Sequence, residues 1–283
     1  MKAIIFSLLG WMFLPVMDGF AKFLSDDLPI LQITWARYFF TVFFTLPIMI
    51  FFFKKQLVWS DKPKLQILRG IILLSANICF FYAISIISLA KALTLAFVAP
   101  LIVTAFSPVM LGEKVGFRRW TAVVVGFTGS LVVIRPGFVE LNFASLAALG
   151  TGILYGFYLI ITRKLSTSDN PLLTLLMTGM VGAILVSAII PFYWVKPSLN
   201  QWSLMAGIGV FACIGHLFLI LSLKYADASK LAPFSYFEII TNIIIGDYFF
   251  SDFTDNWTFL GLFIIVLSGI YIARRENVVK KVK

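Results

Sequence analysis

Charged residues are scarce in this sequence: Asp, Glu, Lys and Arg make up only 13% of the 283 residues, whereas 60% are hydrophobic. A soluble domain usually has about 25% charged and about 45–50% apolar residues, so one soluble core could not bury this much apolar surface. The chain also has only two cysteines and one histidine. These numbers argue against a disulfide scaffold and against a Cys/His metal site, and no Gly-rich phosphate loop occurs. The lipid bilayer is therefore the expected solvent for most of the chain.

Apolar runs occupy most of the length, and each is near the roughly 20 residues that a spanning helix needs. Their connections, such as "SDDLP" and "SDFTDN", are too short for a soluble domain. The first run has no small-residue cleavage site, so we expect it to be retained as a helix. The sequence predicts an all-α integral membrane protein with ten transmembrane helices, near 3–24, 30–53, 64–87, 89–112, 117–135, 142–163, 172–194, 202–223, 229–250 and 256–273.

The net charge of +10 is distributed unevenly along these runs. With the N-terminus inside, eighteen of the 23 Lys and Arg residues face the cytoplasm, among them Arg69 at the start of the third run. Only Arg135 and Lys196 face outward, and Lys22, Arg37 and Lys91 lie within runs. This positive-inside bias predicts that both termini are cytoplasmic. The charge is thus explained by membrane topology, and no nucleic-acid partner is expected.

The chain contains an internal repeat with an offset of about 140 residues. "LGEKVGFRRWTAVVVGFTGSLVVIRP" ends the fifth run and "FSDFTDNWTFLGLFIIVLSGIYIARRE" ends the tenth, so that Gly129 aligns with Gly269 and Arg135 with Arg275. The repeat predicts two five-helix units, 1–137 and 138–275, followed by a basic cytoplasmic tail, 276–283. Because five spans is an odd number, the second unit enters the membrane from the opposite side. Inverted repeats are typical of secondary transporters, whose substrate site lies near the midplane between the repeats.

Two stretches resemble a known family. "LAKALTLAFVAPLIVTAFSPVMLGEKVGFRRW" (89–120) and "GHLFLILSLKYADASKLAPFSYFEIITNIIIGDYFF" (215–250) resemble the two halves of the drug/metabolite transporter superfamily, in its EamA branch. The resemblance implies ten helices around a central cavity in a bacterial inner membrane. It also implies alternating access without ATP hydrolysis, a small-molecule substrate and no cofactor, and it leaves a homodimer open. One departure is Asp252, which stands where the family usually has Glu.

The substrate is less constrained by these patterns. "LQILRGIILL", "GE-x-VG-x-RRWTA" and "ITRKLS" are most similar to bacterial riboflavin importers. S-adenosylmethionine carriers come second, and an amino-acid or amine carrier of the same family remains open. A membrane-embedded enzyme is the alternative from another class. It would need catalytic polar residues clustered at an interface, whereas the polar residues here are scattered at different depths.

The run 229–250 carries a carboxylate where lipid would be expected. Glu238 lies about 12 Å from the cytoplasmic end, counted from Lys230 at about 1.5 Å per residue. Ser235, Glu238, Asn242 and Gly246 recur at helical spacing and share one face. An ionised carboxylate near the bilayer centre costs at least about 2.5–3.5 kcal/mol, so it needs a cavity or a partner. Glu238 either lines the substrate path, binding substrate or a coupling proton, or is a structural carboxyl between helices.

Asp18 is the second buried acid, flanked by Pro15 and Gly19, which loosen the first helix. Arg37 lies at a comparable depth on the next span, and Lys22 follows one turn after Asp18. Asp18 therefore either forms an ion pair with Arg37 or Lys22 that fixes the helices, or faces the substrate cavity.

The remaining candidates are hydrogen-bonding side chains that could line such a cavity. His216, the single histidine, is either a proton-linked switch or a hydrogen-bonding group between helices. A flat heterocycle could stack on the aromatic side chains, which form 16% of the chain. The other candidates for substrate contact are Asn77, Tyr82, Tyr155, Tyr158 and Tyr236.

Overall fold

The structure is a computed structural model that describes residues 2–52, 60–112, 117–134, 142–166, 168–231, 234–235, 237–251 and 255–281. Within these residues it is all helical and contains no strand. A short 3-10 turn covers Ile190–Phe192. The α-helices are α1 (Lys2–Leu24), α2 (Ile30–Phe52), α3 (Pro63–Ile84), α4 (Leu89–Ala96), α5 (Ala99–Leu111), α6 (Phe117–Ile134), α7 (Phe143–Leu165), α8 (Pro171–Ser187), α9 (Leu199–Tyr225), α10 (Ala228–Leu231), α11 (Phe237–Phe250) and α12 (Asn256–Lys281).

Several helices have the length and composition of membrane spans. Large apolar side chains such as Phe51, Val109 and Leu199 are 80% exposed or more, which suits contact with lipid. The helices, with no strand among the described residues, confirm the all-α prediction. The chain is a multi-pass membrane protein. Six helical stretches of the described residues are long and apolar enough to cross a bilayer: Lys2–Leu24, Ile30–Phe52, Pro63–Ile84, Leu89–Leu111, Phe143–Leu165 and Leu199–Tyr225. The arrangement of ten spans in two inverted repeats stays a prediction.

Two of the predicted helices are interrupted. The run 89–112 breaks at Phe97, between α4 and α5, and Pro100 lies in the first turn of α5, where a missing N–H costs little. The run 229–250 is likewise divided between α10 and α11. The sequence predicted one continuous helix in each case. Discontinuous helices expose backbone groups and small residues toward a cavity, and in transporters they often mark the binding site.

The helix packing interleaves the two predicted halves of the chain. The most extensive contact joins α1 to α9, followed by α6 with α12 and α3 with α7. Each of these pairs takes one helix from residues 1–137 and one from 138–275. The largest apolar cluster, which includes Leu14, Phe81, Met205 and Ile208, lies along these contacts. The centre of the molecule is therefore the interface between the two halves.

Candidate functional site

A large cavity lies at this interface, where the two interrupted helices meet α1, α3, α7 and α9. It encloses about 930 Å³ of space not filled by protein atoms, including the part open to the outside. Most of the described lining is apolar or aromatic, with Trp11, Phe80 and Phe97 as its large rings. Asp18 and Glu238 are also in this lining, and no Lys or Arg is among the described lining residues. The cavity is thus a largely aromatic site in which the described lining has two acids, Asp18 and Glu238, and one basic side chain, His216.

The two acidic side chains reach the cavity from different halves of the chain. Asp18 lies in α1 and is 2% exposed, and Glu238 lies in the first turn of α11 and is 6% exposed. Asp18 Oδ1 has no hydrogen-bond partner among the described residues. Both carboxyl groups line the same cavity. A cation bound there would favour the ionised form of both carboxylates and would be stabilised by them.

Neutral polar groups complete the wall of the large cavity. Asn77 Nδ2 donates to the Tyr38 hydroxyl at 3.0 Å and to the Leu73 carbonyl at 2.5 Å. The Tyr155 hydroxyl is buried and has no hydrogen-bond partner among the described residues. Its ring packs edge-on against Trp11, with centroids 6.1 Å apart. The cavity therefore offers a flat aromatic surface beside unsatisfied hydrogen-bonding atoms.

A second, smaller cavity adjoins the first, and His216 lines both. Arg37 Nη2 lies 2.6 Å from His216 Nε2, and His216 Nδ1 lies 3.1 Å from the Tyr158 hydroxyl. A guanidinium can only donate, so Nε2 accepts from Arg37 and the histidine proton is on Nδ1. His216 is therefore neutral in this arrangement, and its Nδ1–H donates to Tyr158. Arg69 Nη2 donates to the same hydroxyl at 2.8 Å.

The position of Arg69 differs from the one predicted from the sequence. The sequence assigned its charge to the cytoplasmic loops, but the side chain is completely buried, seven residues into α3. Its Nε donates to Thr162 Oγ1 at 2.7 Å, and its Nη1 donates to the Thr178 hydroxyl and to the Thr174 carbonyl. The guanidinium also stacks over the Tyr158 ring, 4.5 Å from its centroid. Arg69 thus joins α3, α7 and α8 inside the molecule.

The predicted site residues separate into several groups. Asp18, Glu238, Asn77, Tyr155 and His216 all line the large cavity. The other three with a described position do not: Tyr158 lines only the second cavity, Tyr82 is 39% exposed on α3, and Asn242 is buried beneath Glu238. Asn242 Nδ2 donates to the Glu238 carbonyl at 3.3 Å. Tyr236 and Asp252 lie outside the described residues.

The predicted ion pair of Asp18 is not formed in this conformation, because both cations have other partners. Arg37 Nε donates to the Met17 sulfur at 3.3 Å, and its Nη2 bonds to His216. Lys22 Nζ donates to the Ile84 carbonyl at 3.1 Å and to the Ile87 carbonyl at 3.2 Å. Lys22 thereby links the end of α1 to the turn that follows α3.

Several cavity residues were not identified from the sequence. On α1 the lining positions are Ser7, Trp11, Leu14, Met17 and Asp18. From Ser7 to Trp11 to Leu14, and from Leu14 to Met17 or Asp18, each step is three or four residues, which places them on one helical face, so the pattern that singled out Glu238 on α11 would have found them too. Phe80 and Phe97, in contrast, carry no signal that separates them from the other 28 phenylalanines.

This combination of a helical membrane fold and a largely apolar cavity that holds two buried acids between the two halves is that of a membrane transporter. The chain belongs to the EamA-like transporter family, whose model matches residues 1–135 and again 142–274. This confirms the resemblance to the drug/metabolite transporter superfamily.

Several bacterial transporters are similar in sequence to this chain. An S-adenosylmethionine uptake transporter from Rickettsia conorii is 26% identical over 274 residues, which cover 95% of this chain and 93% of the relative. A pseudopaline exporter from Pseudomonas aeruginosa is 27% identical and covers 93% and 92%. A riboflavin transporter from Vibrio cholerae is 28% identical over 188 residues, covering 66% and 63%. A solved crystal structure superposes with a TM-score of 0.70 at 15% identity, over 96% of this chain and 98% of the other, and supports the fold.

Proposed function

We propose that this EamA-family transporter carries a small organic cation, with S-adenosylmethionine as the first candidate. The observation that carries the proposal is the pair of buried acids, Asp18 and Glu238, in a cavity whose described lining has no Lys or Arg. S-adenosylmethionine has a permanent sulfonium charge that these carboxylates would stabilise. Its adenine could stack on rings such as Trp11 and Tyr155, which line the same cavity.

The named relatives support the same candidate. The S-adenosylmethionine uptake transporter aligns along nearly the whole chain, whereas the riboflavin transporter aligns over two thirds of it. At 26–28% identity neither name transfers to this chain by itself. The two acids in the large cavity favour a cationic substrate, and this evidence is independent of the alignments.

We further propose the transport mechanism that the resemblance implies. Residues 1–137 and 138–275 would be two inverted repeats of five spans, alternating access to the central cavity without nucleotide hydrolysis. Support comes from the two interrupted helices, one in each half, both of which contribute to the cavity. Both termini would face the cytoplasm of a bacterial inner membrane. A reporter fused at Lys283 that works only in the periplasm would contradict this orientation.

The direct test is uptake of labelled S-adenosylmethionine into liposomes that contain the purified protein. Glu238→Gln keeps the shape and most of the hydrogen bonding of the side chain but removes its charge, so uptake of a cation should collapse. Asp247→Asn is the matched control, because Asp247 is exposed on the same helix and lies outside the described cavity lining. Absent uptake in wild type, or unchanged uptake in Glu238→Gln, would contradict the proposal.

Riboflavin is the second candidate, favoured by the aromatic lining, by its flat ring system and by the riboflavin transporters among the relatives. Riboflavin is neutral, so Glu238 would only orient it. A hydrogen bond to a neutral group contributes about 0.5–1.5 kcal/mol, so Glu238→Gln should then cause a modest loss. Growth and uptake of a riboflavin auxotroph that expresses wild type or Glu238→Gln would distinguish the two substrates.

A further inference from the structure

We infer that Asp18 and Arg37 form a binding site for the α-amino acid head group of the substrate, in which Asp18 takes the ammonium and Arg37 takes the carboxylate. This inference rests on the proposed function and deepens it. It assigns a role to Arg37, a buried arginine that is not among the described lining residues of the large cavity. It also specifies that the transported cation carries a carboxylate of its own.

Arg37 is the first observation, because it is a buried cation without an anionic partner. It is 2% exposed, and its hydrogen-bond partners among the described residues are the Met17 sulfur and neutral His216. It also lies over the ring of Tyr38, 4.8 Å from the centroid. A guanidinium has five N–H groups, and these partners satisfy few of them. Burying a charge in this way is costly unless an anion compensates for it.

The surroundings of Arg37 would attract such an anion. Arg37 and Arg69 both line it, and no Asp or Glu is among its described lining residues. The Arg69 partners are hydroxyl groups and one backbone carbonyl, which carry no negative charge. Two positive charges therefore meet at this second cavity. A carboxylate that enters from the adjoining large cavity, which Met17 and His216 line, could accept two parallel hydrogen bonds from Arg37, which contacts both of these residues.

Asp18 supplies the complementary charge in the large cavity. Its neighbour in the chain, Met17, accepts a hydrogen bond from Arg37 Nε at 3.3 Å, yet Asp18 Oδ1 has no partner among the described residues. A direct ion pair would satisfy both Asp18 and Arg37. A ligand that carries both charges on one carbon atom, as an α-amino acid does, could satisfy them in its place. Riboflavin has no such group.

The test compares S-adenosylmethionine with its decarboxylated analogue, which keeps the sulfonium, the adenine and the amine. Affinities are measured on purified full-length protein at one fixed pH. Wild type should bind S-adenosylmethionine about tenfold or more tightly, since a charge-assisted hydrogen bond to a carboxylate contributes this much. Arg37→Met should lose this preference while it keeps its affinity for the analogue, which also shows that the variant folds. Asp18→Asn should weaken the binding of both compounds.

A control variant outside the proposed site tests whether the effect is specific to Arg37. Arg163→Met removes an arginine that pairs with Asp227 outside both cavities, and it should keep the wild-type preference. Equal affinity of wild type for the two compounds would overturn the head-group site and leave the cation transporter intact, and this comparison needs no variant to fold. A preference that persists in Arg37→Met would remove Arg37 from the site. Binding of neither compound would overturn the proposed function itself.

Discussion

Gly10 on α1 and Gly215 on α9 meet at the crossing of these two helices. A Cβ atom added to Gly10 would lie 3.0 Å from the Gly215 carbonyl oxygen and 2.8 Å from the Leu219 side chain. A Cβ atom added to Gly215 would lie 3.3 Å from the Gly10 carbonyl oxygen. Close approach of backbones through small residues is a common way of packing helices in membranes. The absence of side chains at these two positions therefore sets the distance between α1 and α9.

We predict that Gly10→Ala destabilises the protein by roughly 1–3 kcal/mol, because the Gly215 backbone cannot move aside as a flexible side chain could. The measurement is the apparent melting temperature in detergent. Gly150→Ala on α7 is the control, since nothing lies within 4 Å of a Cβ atom there. It should be neutral or slightly stabilising, because Ala favours a helix more than Gly does. Equal melting temperatures for the two variants would show that the crossing tolerates a methyl group.

Arg69→Lys should also lower the melting temperature, by an amount that corresponds to about 1–3 kcal/mol. A lysine keeps the buried charge, but its single ammonium cannot reproduce the planar fork that reaches Thr162, Thr178 and Tyr158 together. Arg163→Lys is the matched control, because the Arg163–Asp227 pair is partly exposed and such pairs contribute little, and because a lysine can still donate to the Leu223 carbonyl that Arg163 bonds at 2.7 Å. If both changes had the same small effect, Arg69 would not be the link between helices that its contacts indicate.

Two tyrosines allow the cavity wall to be compared with the outer surface. Tyr155→Phe removes a buried hydroxyl that has no hydrogen-bond partner among the described residues, so the ligand-free protein should keep or slightly gain stability. Substrate affinity should fall several-fold if this hydroxyl binds the ligand. Tyr82→Phe changes a 39% exposed side chain outside both cavity linings and should alter neither quantity. A larger effect of Tyr82→Phe on affinity would contradict the cavity as the binding site.

Transport of S-adenosylmethionine, which carries a net charge of one at neutral pH, should respond to membrane potential. An inside-negative potential of about 100 mV contributes about 2.3 kcal/mol per charge, which corresponds to roughly 50-fold accumulation. Vesicles with an imposed potassium diffusion potential measure this directly. Riboflavin uptake should be unaffected by the same potential. Potential-independent uptake of S-adenosylmethionine would instead indicate an electroneutral exchange with another cation.

The helical fold could be predicted from the sequence because an apolar run of about 20 residues spans a bilayer as a helix. The interruptions in the fourth and ninth runs could not, since Pro100 is compatible with a continuous helix that bends and with a break. On α11 the prediction that Glu238 and Asn242 share a buried face is consistent with the structure, where both are buried while Ile244 is 60% exposed. Helical periodicity is sufficient for this because it concerns one helix only.

The contacts between helices could not be predicted from the sequence. Counting residues gave Asp18 and Arg37 similar depths, but depth does not specify the direction in which a side chain points around its helix. Arg37 instead bonds to His216, 179 residues away, and His216 bonds to Tyr158. Arg69 was assigned to a loop because charge near the end of an apolar run usually lies in water. Its burial depends on the hydroxyl groups of α7 and α8, which only the folded structure brings together.

The bonds from Lys22 to the carbonyls of Ile84 and Ile87 have a consequence for the resting state of the transport cycle. They hold α1 against the end of α3 on the side that the predicted topology places in the periplasm. The lining of the large cavity extends to Ser7 and Leu223 near the opposite ends of α1 and α9. In the proposed alternating-access cycle an outward-facing form would have to break these bonds, so we predict that the unloaded carrier rests with its cavity toward the cytoplasm. If the proposed uptake operates, a solute outside the cell would then be captured from a minor population, and its apparent affinity would be weaker than its intrinsic affinity by the size of that population.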